Sequence, residues 1–493
     1  LTMERNSPNY WSPNKPRHHL ACTSHSSFVS TRTYFESWQI ISQLEQYDEA
    51  TLILIFNIKW LGSKIEGDEM EFQAPRGTTD VLPDDQRYWR YVENTASQVA
   101  ESFGYRRIDT PVFEDTNLYI RSIGDSTDIV EKETYTFSDR GGDSLTLRPE
   151  GTASVCRAYI QHGMHNMPQP VRLFYLCPNF RYERPQAGRF RAFHQFGIEA
   201  FGESDPYIDA EVIEVSWRFL TSVGIDDISL RINSIGDSNC RPKYVDALQT
   251  YYQNYSQSLC PDCVRRLETN PLRLLDCKIE SCQPVIQSAP KSTEYLCLPC
   301  NAHWVQLQEY LETTGIGYEI DNTLVRGLDY YSRTVYEITP PTERRTNVIA
   351  GGGRYDGLLE QLGGPATPGI GFGMGIERVI ENIKRLEIDI ASKPKLSIMF
   401  AHIGEGAKKE AISLSSQIRR LGKESFVGPS RGLRSQMRYA SHMNSSHVII
   451  IGDDELSTGL YTLRDLSKGD QTEITADGIL NFVKTHDIGQ KVD

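Results

Sequence analysis

The strand-forming segments in the first three quarters of this chain follow one another in hairpin-linked runs, and that order does most to limit the fold. Residues 105–108, 134–138 and 145–148 carry β-branched and aromatic alternation, and Gly141-Gly142 between the last two predicts a hairpin turn. Further strands are expected at 171–176, 195–201, 229–232, 334–338 and 369–375. Helices are expected at 84–102, 153–161 and 208–223. In the first of these, Tyr88, Tyr91, Val92, Ala96, Val99 and Ala100 recur at helical spacing and Gly104 follows at the C-cap position. Strict strand–helix–strand alternation is missing. The segments therefore predict an α+β fold, an antiparallel sheet with helices packed on it, rather than a doubly wound parallel sheet.

The chain has 493 residues, room for two to four domains at roughly 100–200 residues each. With 39% apolar and 24% charged residues it matches no collagenous, wholly disordered or membrane-embedded class. Its most apolar stretch, residues 51–60, falls far short of the roughly 20 residues a bilayer span needs, so no membrane partner is expected. After Pro394 the grammar changes. Strands at 397–401 and 447–451 alternate with helices at 407–421 and 475–485, which predicts a separate α/β domain over 394–493 with a largely parallel sheet. Residues 1–69 differ again: up to Phe35 they are rich in Ser, Thr, Asn, Pro and His, with Glu4 the only acid. Two readings fit, an organellar transit peptide or a poorly ordered upstream extension.

Neither a G-x-x-x-x-G-K-[ST] phosphate loop, a G-x-S-x-G elbow nor an H-E-x-x-H pair occurs. The chemistry-bearing residues are instead arginines. Between Phe180 and Arg191 lie Arg181, Arg184, Arg189 and Arg191 with Glu183, around a Pro185-Gln186-Ala187-Gly188 turn. Planar guanidinium groups bind phosphate oxygens in pairs, so such a hairpin suits a nucleotide or a polynucleotide end. Net charge is −13, yet residues 408–438 hold eight basic side chains against Glu410 and Glu424, a local +6 that suits a nucleic-acid surface. Six of the ten cysteines fall between Cys260 and Cys300. Cys260-x-x-Cys263 and Cys297-x-x-Cys300 would together make a tetrahedral structural zinc site; free thiols or vestigial ligands are the other readings.

The arginine hairpin resembles motif 2 of the class II aminoacyl-tRNA synthetases, and the remaining motifs follow in order. Pro111 with Phe113-Glu114 resembles motif 1, whose proline lies at the family's dimer interface, which implies a homodimer. Residues 371–378 (GFGMGIER) resemble motif 3. Two further stretches, 324–337 (LVRGLDYYSRTVYE) and 350–358 (AGGGRYDGL), are similar to signatures of the histidyl-tRNA synthetase family. The resemblance covers about residues 75–487. It implies a class II catalytic domain over 70–393 with an insertion at about 240–320, and an anticodon-binding domain over 394–493.

A histidine substrate offers an ammonium, a carboxylate and a two-nitrogen ring, so its pocket needs an acid and polar partners for the ring. By resemblance, Glu150, Gly151 and Thr152 hold the α-amino end, Gln195 lies near the amino and carboxylate groups, and Glu199, Tyr330 and Tyr331 read the imidazole. Adenylate formation is phosphoryl chemistry dominated by positioning and charge neutralisation. The resemblance places Arg181 and Arg326 at the reacting phosphate as catalytic groups, adds Arg189 and Arg378 as ATP ligands, and implies Mg²⁺ with the ATP. It assigns Arg184 and Gln186 to the tRNA acceptor end. The implied activity is ligation of L-histidine to histidine tRNA in the cytoplasm, with organellar import through residues 1–69 as a variant. One rival shares the fold: a catalytically silent histidine-sensing paralogue, the regulatory subunit of ATP phosphoribosyltransferase. That protein lacks the last domain and tends to lose the catalytic residues, whereas Arg181, Arg326 and Arg378 all stand here.

Overall fold

The computed structural model describes residues 72–123, 132–183, 190–340, 348–390 and 396–485. The extension at 1–69 lies outside them.

Sixteen strands form three sheets among the described residues. The first eleven are β1 (Arg106–Arg107), β2 (Phe113–Asp115), β3 (Tyr135–Ser138), β4 (Ser144–Leu147), β5 (Val171–Phe180), β6 (Ala192–Phe201), β7 (Ser229–Ser234), β8 (Glu319–Ile320), β9 (Ser332–Thr339), β10 (Ala350–Arg354) and β11 (Gly369–Gly375). Eight of them build one sheet in the order β1-β5-β6-β11-β10-β9-β7-β8. Its interior pairings are all antiparallel, and only the two-residue edge strands β1 and β8 run parallel to their neighbours. The predicted hairpin at Gly141-Gly142 is present as β3–β4, and with β2 it makes a three-stranded sheet.

The two faces of the large sheet differ because side chains alternate along each strand. On β6, Phe196, Ile198 and Ala200 join one apolar core with Ile370, Phe372 and Met374 of β11. Helices α1 (Gln86–Ser102), α3 (Tyr207–Ser222), α6 (Leu298–Thr314) and α7 (Ile376–Arg385) cover that face, with Val92, Ile213, Leu307 and Val379 all inaccessible to solvent. The other face is roofed by α2 (Thr152–Gln161), α4 (Arg241–Gln253) and α5 (Pro261–Thr269), together with short turns of the insertion. One buried network crosses the helix-covered face. Asp209 of α3 accepts from Arg354 of β10, from Thr334 at 2.6 Å and pairs with His303 of α6 at 2.8 Å. Burial raises the Asp209 carboxyl, but the charges and hydrogen bonds of Arg354 and His303 together outweigh it and hold the group down at about 2.

The remaining strands are β12 (Ser397–His402), β13 (Glu424–Val427), β14 (His447–Ile451), β15 (Tyr461–Asp465) and β16 (Gln471–Ile474), in the order β13-β12-β14-β15-β16. The expected parallel pairings hold for β13-β12-β14, where a helix intervenes between strands in sequence. The expectation of a largely parallel sheet fails beyond β14: β15 and β16 return antiparallel, since only a short link joins them and a parallel pair needs a long crossover.

Candidate active site

The polar residues of the sheet's roofed face converge where β6, β10 and β11 meet. Glu199 is fully buried. Its Oε1 accepts from Thr152 Oγ1 at 2.7 Å and Tyr175 Oη at 3.1 Å, and its Oε2 accepts from Tyr355 Oη. An ionised carboxylate without such donors would be costly here, and even with them burial pushes the Glu199 group up to about 8, helped by the Glu150 charge. Gly371 lies opposite Glu199 on β11, and a Cβ there would collide with Glu199 Oε2. Glycine is thus what lets the acid lie flat across the neighbouring strand.

Glu150 meets a different need. It precedes α2, whose first N–H groups have no partner within the helix, and its two oxygens accept from Thr152 N at 2.7 Å and Ala153 N at 2.8 Å. Each oxygen keeps a lone pair for an ammonium group. Gln195 has its Oε1 fixed by Asn179 Nδ2 at 2.7 Å. Tyr330 and Tyr331 are buried with ring centroids 4.7 Å apart, and Tyr330 lies edge-on to Tyr355 at 5.6 Å. The structure therefore brings Thr152 and Glu199 into direct contact and walls them with tyrosines.

Arg326 stands just before β9, with its guanidinium 6.0 Å from the Tyr331 ring. Nη1 donates to Glu337 Oε1 at 2.5 Å, while Nε is buried with no acceptor. Glu337 is itself held by Arg231 Nη2 at 3.0 Å, and Arg231 also reaches Asp321 at 2.9 Å. The glycine run 351–353, which in isolation reads as a tight turn, is instead the middle of β10. A Cβ at Gly351 would sit 2.5 Å from both Arg326 terminal nitrogens, so the strand is bare where the guanidinium crosses it. Arg181 leaves β5 with its Nε on the Pro149 carbonyl at 2.9 Å and its guanidinium over Phe193 at 5.5 Å. Arg378 sits in the first turn of α7 and donates to the Val348 carbonyl. Glu377 beside it accepts both the His194 backbone N–H (2.8 and 3.0 Å) and a 3.0 Å contact with its ring, tying α7 to β6. Arg184, Gln186 and Arg189 lie outside the described residues.

An acid that collects hydroxyls, a cluster of buried tyrosines and several arginines suit a small amino acid beside a phosphate chain. The model of the family described as "Histidyl-tRNA synthetase" matches residues 77–257 and 266–379. The chain belongs to the histidyl-tRNA synthetase family. A second model, "Anticodon binding domain", matches residues 396–486. A histidine–tRNA ligase of Dehalococcoides mccartyi is 50% identical over 414 residues, 84% of this chain and 99% of its own. The ligase of Desulforamulus reducens is 46% identical over 413 residues, 83% of this chain and 98% of its own. Among solved structures, apo histidyl-tRNA synthetase of S. aureus superposes with a TM-score of 0.71 at 36% identity, covering 84% of this chain and all of that one. Class II membership agrees with the antiparallel core.

The zinc expectation needs correction. Cys260 and Cys263 do not share a centre with Cys297 and Cys300. Cys260 and Cys263 gather with Cys277 and Cys282, whereas Cys297 and Cys300 gather with Asp237 and Cys240. Each C-x-x-C pair opens a different helix, α5 or α6, and the two helix starts belong to different parts of the insertion's packing. Sequence reasoning also passed over Tyr175, Tyr355, Arg231 and Glu337. Tyr175 falls in an expected strand as an ordinary aromatic, and Tyr355 and Glu337, though inside quoted signatures, carry no sign in the sequence that they meet Glu199 and Arg326.

Proposed function

We propose that this chain joins L-histidine to histidine tRNA in two steps: the histidine carboxylate attacks the α-phosphorus of ATP and diphosphate leaves, then a terminal ribose hydroxyl of the tRNA takes the histidyl group and AMP leaves. The observation that carries this reading is the buried, unpartnered Nε of Arg326, whose guanidinium lies 6.0 Å from Tyr331 of the Thr152–Glu199–tyrosine cluster. A buried donor without an acceptor costs about 1–3 kcal/mol and is tolerated where a ligand supplies the partner. A phosphate or carboxylate oxygen fits. In this account Glu150 and Thr152 take the ammonium with Gly151 leaving room, Gln195 orients the amino and carboxylate end, and Glu199 with Tyr330 and Tyr331 reads the ring. Arg181 and Arg326 neutralise charge at the reacting phosphorus, and Arg189 and Arg378 hold the rest of the nucleotide. Magnesium would come with the phosphate oxygens of ATP, since Glu150 and Glu337 are already engaged by backbone amides and arginines and Glu183 lies 3.8 Å from Arg181. When bound it neutralises phosphate charge.

The assignment of residues 70–393, with the insertion at about 240–320, to catalysis and of 394–493 to the anticodon belongs to the same proposal. So do a cytoplasmic location and a homodimer through the motif 1 region, where Val112, Phe113 and Phe137 are exposed and the two phenyl rings meet at 6.3 Å. On the tRNA side, Gln186 can donate and accept at a base edge while Arg184 suits backbone phosphate. Gln186→Ala should weaken aminoacylation of histidine tRNA by about 1–3 kcal/mol and leave adenylate formation nearly unchanged. Equal loss in both steps would refute a tRNA-reading role.

A further inference from the structure

We infer that Cys260, Cys263, Cys277 and Cys282 form a structural zinc site in the insertion. Thiolates bound to Zn²⁺ at about 2.3 Å in a tetrahedron lie about 3.8 Å from one another. Cys260 Sγ and Cys277 Sγ are 3.9 Å apart, and all four sulfurs lie within 4.8 Å of each other. A disulfide requires about 2.0 Å, so 3.9 Å fits a shared metal far better than an S–S bond. Three of the four side chains are buried, and Cys260 is half-buried. Two backbone amides already point at sulfur: Cys260 N donates to Cys282 Sγ at 3.2 Å, and Ile279 N to Cys277 Sγ at 3.4 Å. Such donors offset the negative charge that four thiolates around one Zn²⁺ carry. Binding releases a proton from each thiol that enters as thiolate, so loading is favoured as pH rises.

The other sulfur cluster is built differently. Asp237 Oδ1 already accepts from Asn239 N at 3.0 Å and Cys240 N at 3.3 Å, and its Oδ2 faces the Arg333 guanidinium at 3.5 Å. Its carboxylate is occupied, and a cation stands beside it, so this cluster is a hydrogen-bonded corner rather than a metal cage.

The all-cysteine site also has a place in the catalytic architecture. Between its two ligand pairs, Asn270 Nδ2 donates to Asp329 Oδ1 at 2.9 Å and Arg273 Nη1 to the Gly327 carbonyl at 2.7 Å. Leu274 and Leu275 share a buried cluster with Leu324, Val325, Tyr330 and Tyr331. A metal closing the segment from Cys263 to Cys277 would brace the loop that carries Arg326 and the two tyrosines. The metal site stands without the synthetase reading; only this bracing role rests on it.

The test is the metal content of the full-length protein purified from zinc-supplemented cells. The expected result is about one zinc per chain, retained in Cys297→Ser/Cys300→Ser and lost in Cys277→Ser/Cys282→Ser. Should the latter fail to fold, wild-type protein stripped and refilled with Co²⁺ gives the second readout, the intense visible bands of a tetrahedral all-sulfur site. Zinc that persists in Cys277→Ser/Cys282→Ser, zinc lost only with Cys297 and Cys300, or Co²⁺ spectra without all-sulfur character would each overturn the assignment. A failure of histidine activation in a zinc-loaded protein would count against the synthetase reading and leave the metal site standing.

Discussion

Arg326 gives one N–H to Glu337 at 2.5 Å and keeps another, at Nε, buried without an acceptor. The first contact aims the guanidinium, and the second leaves a donor that, in the proposed reaction, would meet the reacting phosphate. Removing one preorganised donor to developing charge costs about 2.7–4 kcal/mol of rate. Arg326→Ala should therefore slow adenylate formation by roughly that amount while histidine affinity changes little. Arg326→Lys should recover little of it, because a compact ammonium on a flexible stem does not reproduce the planar fork that bonds Glu337 and holds a second donor in a fixed direction. Single-turnover adenylate formation and equilibrium histidine binding, measured on both variants, check this; a lysine variant near wild-type rate would refute it.

Glu337 is expected to act as a positioning residue. It holds Arg326 and is held by Arg231, with the side chains of all three mostly shielded from solvent. Glu337→Gln keeps the shape but gives up the charge on two charge-assisted bonds, each worth about 1.5–3 kcal/mol. The expected outcome is a fall in kcat for pyrophosphate exchange larger than any rise in KM for histidine. A change in KM alone would place Glu337 in binding.

Much of this architecture was legible in the sequence, because it depends on short-range pattern. The glycine after α1, the β3–β4 hairpin and the bounds of β11 follow from local residue choice. What was not legible depends on which distant segments meet. Cys260 and Cys297 open similar C-x-x-C turns, and nothing local says that Cys277, rather than Cys297, joins Cys260. Glu199 could be singled out as a costly lone acid on a strand, but its partners Tyr175 and Tyr355 come from two other strand regions. The antiparallel return of β15 and β16 has a local cause instead: β16 is exposed along nearly its whole length, and its polar residues give a weak strand signal.

The raised Glu199 group makes a pH prediction. Its ordinary value is 4.5 and burial lifts it to about 8 in the folded chain. Over that window the folded chain holds a proton that the unfolded chain has released, so the group's contribution to stability is full below the ordinary value and is lost as pH rises through about 8. Glu199→Gln should flatten this part of the dependence of Tm on pH for the ligand-free protein. An unchanged slope would mean that Glu199 is already ionised at neutral pH.

Gly371→Ala tests the bare strand beneath the acid. The new methyl would overlap Glu199 Oε2 and the Ile198 carbonyl oxygen, and relieving both overlaps should cost about 1–3 kcal/mol. If Glu199 reads the histidine ring, much of that cost should appear as weaker histidine binding, measured by calorimetry beside the melting temperature. Full stability with unchanged histidine affinity would remove Glu199 from the substrate pocket.

The most direct test of the account is ATP–pyrophosphate exchange measured with each amino acid in turn on the full-length protein. Exchange should depend on histidine and be nearly abolished by Arg326→Ala. Intact histidine binding without any exchange would contradict it and would fit a histidine-sensing protein that has kept the pocket and lost the chemistry.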